Sequence, residues 1–147
     1  MSITLLSTRF GCVEIDPETV IEFPAGLVGL GGWRYALVAA SEDTPFVWLH
    51  SLDDGSLALP VTNPLRFFPH FRLELLDEDA QRLALDGSTS VDVYVTVRTS
   101  PNLSEVAANL RAPIVVHAGR GAQVINQAPG MELRAPLFPA ALTASAA

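Results

Sequence analysis

Cysteine is almost absent from this sequence, and no apolar run approaches the roughly 20 residues that a membrane-spanning helix needs. The one cysteine, Cys12, cannot form a disulfide within the chain, which agrees with a reducing compartment. The start of the chain has neither a basic segment nor a long apolar segment after it, so we expect no secretory signal. These absences predict a cytoplasmic protein that does not bind a membrane.

Motifs for catalysis or metal binding are also missing. His50, His70 and His117 are never four residues apart, and no His-x-His pair occurs. There is no Gly-x-Ser-x-Gly, and the glycine-rich segments match neither a P-loop nor a dinucleotide-binding fingerprint. The sequence therefore predicts no enzyme, no metal site and no cofactor. A metal-dependent hydrolase remains open as an alternative, if His117 folds beside His50, Asp53 and Asp54.

What the chain does contain is an excess of acid that is unevenly spread. Its 147 residues carry a net charge of −7, with −9 in residues 1–97 and +2 in residues 98–147. This balance argues against direct nucleic-acid binding, and it favours encounter with a basic partner. General solubility is the simpler explanation of the same charge. The candidate contributors to a basic-partner contact are Asp53, Asp54, Asp77, Glu78 and Asp79.

Short alternating segments indicate a mostly β protein. Val91, Val93, Val95 and Val97 point to one side of the clearest strand, and a further segment that alternates, residues 71–76, also indicates a strand. Asp16 and Pro17 predict one helical turn, and residues 77–85 form the best helix candidate. We expect eight to ten strands in a small antiparallel β-barrel or sandwich with one or two short helices. Residues 1–138 are expected to form a single domain, and residues 139–147 a mobile tail.

The densest stretch is VTNPLRFFPHF, residues 61–71. Two prolines exclude a central strand, and three phenylalanines are unusual in a solvated loop. Asn63 can hydrogen-bond its own backbone and hold the bend. On an extended backbone, Phe67 and Phe68 point to opposite faces, so one ring can enter the core while the other, beside Arg66, contacts a partner. The alternative is that both rings fill an open end of the barrel.

Several segments resemble flagellar assembly factors of the FliW family. They are FPAGLVGL, PFVWLHSLDDGSLALPVTNP, FFPHFRLEL, DVYVTVR and ANLRAPIVVH, and they occur in the order seen in that family. APLF, residues 135–138, is similar to the family's usual chain end, although Ala135 stands where a histidine is common. The tail after Phe138 is additional. The resemblance covers about residues 3–138.

The resemblance implies a β-barrel-like domain without catalytic activity that binds flagellin in the cytoplasm. It also implies binding to the RNA-binding translational repressor CsrA. This binding would relieve repression of flagellin mRNA by an allosteric effect. Flagellin export would then free the factor for CsrA. In this partner switching, flagellin and CsrA draw on one limited pool of the factor. A second alternative is a chaperone-like adaptor for another secreted helical protein, with no link to translation.

Overall fold

The computed structural model describes residues 2–24, 27, 33–39, 46–82 and 91–138. The expected mobile tail and the end of the helix predicted for residues 77–85 lie outside these ranges. Within them, no helix is long and apolar enough to span a membrane.

The described residues are mostly β, as the sequence predicts, with one α-helix and three short 3₁₀ helices. The strands are β1 (Ile3–Ser7), β2 (Gly11–Ile15), β3 (Ile21–Glu22), β4 (Arg34–Val38), β5 (Phe46–Ser51), β6 (Ala58–Thr62), β7 (Asp92–Arg98), β8 (Ala107–Ala108), β9 (Ile114–His117), β10 (Arg120–Gln123) and β11 (Ala135–Pro136). The helix α1 spans Asp77–Arg82, and the 3₁₀ helices span Pro17–Thr19, Pro64–Arg66 and Leu103–Glu105.

Seven of these strands close into a barrel. Their order is β7-β6-β5-β4-β3-β10-β9, and β9 returns to pair with β7. The neighbouring strands are antiparallel except β3 and β10, which meet in parallel at Glu22 and Arg120. A side branch, β7-β8-β11, leaves the barrel at Val97 and Arg98, and β1 and β2 form a separate hairpin. The barrel expected from the sequence is confirmed.

The barrel interior is filled by large side chains from facing strands. Phe23, Tyr35, Leu49, Val61 and Ile114 are each at most 2% exposed and form one cluster. The rings of Phe23 and Tyr35 meet edge to face, with their centroids 5.4 Å apart. Such a cluster stabilises the fold through burial, at about 25 cal/mol per Å² of apolar surface.

The outer face of the barrel is also largely covered. Tyr94 on β7 packs into the interior cluster, whereas its neighbours Val95 and Val97 pack on the other side, against Phe68 and Leu110. The alternation predicted for this strand is therefore confirmed, and its valine face points away from the barrel interior. The hairpin β1-β2 covers another part of the outer face, over β4 and β5.

The strand expected at residues 71–76 is absent, although its side chains alternate between buried and exposed. A side chain replaces the neighbouring strand. The buried amide of Asn126 accepts a hydrogen bond from Glu74 N (3.0 Å) and donates to the carbonyl of Arg72 (2.8 Å). Gln127 N adds a backbone bond to the carbonyl of Glu74 (2.9 Å). Alternation alone could not distinguish this arrangement from a ladder.

The interior predicts the effect of a methyl group at Gly121. A Cβ there would lie 2.5 Å from Cε1 and 2.8 Å from Cζ of Phe23, whose ring is fully buried. We expect Gly121→Ala to lower the free energy of unfolding by about 1–3 kcal/mol, because overpacking forces neighbours off their preferred positions. Urea denaturation measures this. In a Phe23→Leu background the same change should cost less, and an equal cost in both backgrounds would contradict the clash.

Candidate partner-binding surface

The bend after β6 is held by Asn63. Its Oδ1 accepts a hydrogen bond from Leu65 N (3.0 Å), as the sequence predicts, and Pro64 occupies the first position of the 3₁₀ helix. The carbonyl of Pro64 then accepts from Phe68 N (2.8 Å), and that of Phe68 accepts from Phe71 N (2.9 Å). The chain after Asn63 therefore forms successive turns, so the expectation of an extended backbone is wrong. Proline pre-sets the backbone for this turn, and the asparagine cap satisfies a free N–H.

The turn still separates the two rings, as predicted by the alternative in which one ring enters the core and the other does not. Phe68 is 6% exposed and packs in the cluster under β7. Phe67 is half-buried, and its ring stacks on Phe46 with centroids 5.7 Å apart and planes at 11°. The rings of Phe67 and Phe138 meet edge to face, with their centroids 5.9 Å apart. Phe68 is thus a core anchor, and Phe67 is the ring that stays partly exposed.

We call Phe46, Phe67 and Phe138 the aromatic patch. All three rings are half-buried, and Leu65 (58% exposed) and Arg66 (exposed) precede Phe67 in the chain. A neighbouring cleft of about 240 Å³ is lined by Phe67, Phe68, His70, Leu110, Gly130, Glu132, Ala135 and Pro136. Half-exposed aromatic rings beside an arginine match the composition of interface centres.

Asp53 and Asp54 are exposed but already tied into the turn between β5 and β6. Asp53 accepts hydrogen bonds from the backbone N–H groups of Trp33 and Arg34 (3.2 Å each) and pairs with the Arg34 guanidinium (3.1 Å). The bond from Trp33, followed by those from Arg34, holds the pKa of Asp53 below its usual value. The hydroxyl and N–H of Ser56 likewise lower the pKa of Asp54.

The acids of α1 differ in exposure. Asp77 and Glu78 are exposed, whereas Asp79 is only 8% exposed. The helix follows a segment whose Leu73 and Leu75 pack over β9 and β10, while Asp53 and Asp54 sit beside the β1-β2 hairpin. The five predicted acids therefore lie in two separate parts of the chain's surface. Of the five, Asp77 and Glu78 are exposed and take no part in the turn between β5 and β6.

His50, the centre of the metal alternative, is fully buried beneath the hairpin. Its Nδ1–H donates to the carbonyl of Ser51, and its Nε2 accepts from the hydroxyl of Ser7, both at 2.8 Å. Ser7 Oγ also accepts from the N–H groups of Arg9 and Phe10. A metal ion would have to displace these bonds. No group of three candidate ligands occurs among the described residues.

Sequence reasoning missed several exposed or half-exposed apolar residues. Trp33 is 49% exposed, with the guanidinium of Arg34 at 6.0 Å from its ring centroid. Phe46 and Phe138 are far apart in sequence, and only the fold brings them to Phe67. The chain-end segment APLF was the one signal that pointed to Phe138.

Comparisons with known proteins agree on one family. A sequence model described as "FliW: FliW protein" matches residues 4–137. The flagellar assembly factor FliW of Alkaliphilus metalliredigens is 35% identical over 115 residues, which cover 77% of this chain and 71% of that protein. FliW 2 of Desulfotalea psychrophila is 33% identical over 135 residues, covering 90% and 89%. A crystal structure of the flagellar assembly factor FliW superposes with a TM-score of 0.83 at 28% identity, covering 94% and 99%.

The lowered pKa of Asp53 predicts how acid affects the fold. A carboxylate whose pKa is lowered by folding stabilises the folded state at pH values above its pKa in the unfolded chain. This contribution is lost as the pH falls below about 4. Asp53→Asn should lower stability at pH 7 by at most about 1 kcal/mol, because the ion pair is exposed, and should flatten the acid-side decline. Chemical denaturation at several pH values measures this, with Asp92→Asn as control. Equal pH profiles for both variants would refute it.

Proposed function

The chain belongs to the FliW family of flagellar assembly factors, and on this premise we propose that it binds flagellin in the cytoplasm and antagonises a CsrA-type translational repressor. The protein acts without catalysis, by exchanging one bound partner for the other. Flagellin and the repressor draw on one limited pool of the factor, so export of flagellin frees it for the repressor. Repression of flagellin translation is then relieved.

The aromatic patch is the observation that supports flagellin binding. Phe67 is fixed between Phe46 and Phe138, and its neighbour Phe68 anchors the chain in the core. A pre-organised aromatic surface loses little entropy on binding, and it suits the apolar face of an amphipathic helix. Arg66 at the rim can pair with an acidic side chain of that helix.

The charge distribution supports the repressor part. An RNA-binding protein carries basic surface, and the acidic residues 1–97 favour encounter with it. Asp77 and Glu78 are exposed in the first turn of α1, where carboxylates also stabilise the helix. A non-catalytic role agrees with the names of the relatives, which describe assembly factors.

The two adjacent phenylalanines give a matched test of flagellin binding. Phe67→Ala should weaken binding roughly thirtyfold, which corresponds to an interface anchor worth about 2 kcal/mol. Its effect on melting should be smaller than that of Phe68→Ala, because Phe67 is only half-buried. Phe68→Ala should instead cost about 3–5 kcal/mol of stability, because it opens a cavity in the core. Calorimetric titration with purified flagellin and thermal melts separate the two effects.

Leu6→Ala serves as control, since Leu6 is 74% exposed on β1, away from the patch. It should change neither binding nor melting. Unchanged flagellin binding in Phe67→Ala would show that the aromatic patch is structural. Binding of another secreted helical protein, with no affinity for flagellin, would favour the adaptor function.

Association with the repressor should slow as salt rises. Charges separated by more than about 8 Å are screened at physiological ionic strength, so electrostatic steering weakens. Asp77→Asn combined with Glu78→Gln should reduce the association rate at low salt and flatten its salt dependence, while dissociation changes little. Stopped-flow mixing with purified CsrA measures both rates. A wild-type rate that is indifferent to salt would contradict electrostatic steering.

A further inference from the structure

A cleft of about 590 Å³ lies on the side branch formed by β7, β8 and β11. Loop 99–105 forms one wall. The lining residues are Arg98, Thr99, Ser100, Pro101, Ser104, Glu105, Ala107, Arg134 and Pro136. None of the residues of the aromatic patch is among them.

Two arginines line the cleft, Arg98 at the end of β7 and Arg134 just before β11. Arg98 is opposite Ala107, and Ala107 is opposite Pro136, so the three residues form one row across the branch. Ala107 and Pro136 are small and have no polar side-chain atom. The floor formed by these two residues therefore offers the two guanidinium groups no side-chain acceptor.

The wall does not pair with the arginines either. Ser100 donates its hydroxyl to Glu105 Oε2 (3.0 Å), and Ser104 donates its hydroxyl to Asn102 Oδ1 (2.9 Å). In the described part of the chain, Arg34 and Arg72 form ion pairs, whereas neither Arg98 nor Arg134 has a carboxylate within 4.0 Å.

Arg98 and Arg134 outnumber the one carboxylate of the lining, Glu105, so the cleft keeps a net positive charge that an anion would neutralise. A guanidinium binds a carboxylate or a phosphate through two parallel hydrogen bonds, so both groups offer it the same pair of oxygens. The net charge of −7 disfavours a long polyanion but leaves a single oxyanion group free to enter. We propose that the cleft binds an oxyanion, either inorganic phosphate or a carboxylate of an acidic peptide segment, between Arg98 and Arg134. This site goes beyond the flagellin and repressor contacts.

Two probes at low ionic strength test the site and identify the source of the oxyanion. Calorimetric titration with inorganic phosphate and with an acetylated triglutamate peptide should show binding of at least one. Arg98→Gln and Arg134→Gln should each weaken it about tenfold, and the double variant should abolish it. Arg120→Gln on β10 removes the same charge outside the cleft, and it should change affinity less than twofold. Melting temperatures of all variants should stay unchanged, because neither arginine is buried.

Binding of phosphate alone would assign the site to a free anion, and binding of the peptide alone would assign it to an acidic polypeptide. Either result supports the site if the Arg98 and Arg134 variants lose binding. The proposal is overturned if neither probe binds, or if Arg120→Gln weakens binding as much as the double variant does.

Discussion

The pairing of β7 with three strands is the constraint on which the rest of the structure depends. One edge of β7 pairs with β6, while the other pairs first with β9, over residues 92–94, and then with β8, over residues 97–98. The first of these outer contacts closes the barrel, and the second starts the side branch. Because β7 spans seven residues, it is long enough to take both partners in succession. The faces of the same strand then organise two cores, with Tyr94 inside the barrel and Val95 and Val97 outside it.

This arrangement also positions the candidate surfaces. Phe68 packs on the outer valines of β7, and the 3₁₀ turn fixes Phe67 relative to Phe68. The aromatic patch is therefore held by a core contact rather than by the loop alone. Arg98, the last residue of β7, stands where the side branch begins. A change in β7 should thus disturb both surfaces together, whereas changes at the rims act on one surface each.

The sequence predicted the features that local patterns encode. The turn at Asp16 and Pro17 and the alternation of β7 both depend on neighbouring residues. It failed where a distant side chain decides the outcome. Asn126 replaces a strand for residues 72–74, and Phe46 and Phe138 reach Phe67 only through the fold. Periodicity cannot report such partners, because it contains no information on which distant residue fills a backbone hydrogen bond.

The pairing of β11 with β8 has a consequence for behaviour at high concentration. Leu137 N donates inward to the carbonyl of Val106 (3.1 Å), so the amide positions directed away from the branch are those of its neighbours. Pro136 is one of these neighbours, and it has no N–H to offer. A second molecule that tried to extend the sheet at this edge would find no donor at Pro136. Proline at this position thus protects the outermost strand of the branch from edge-to-edge aggregation.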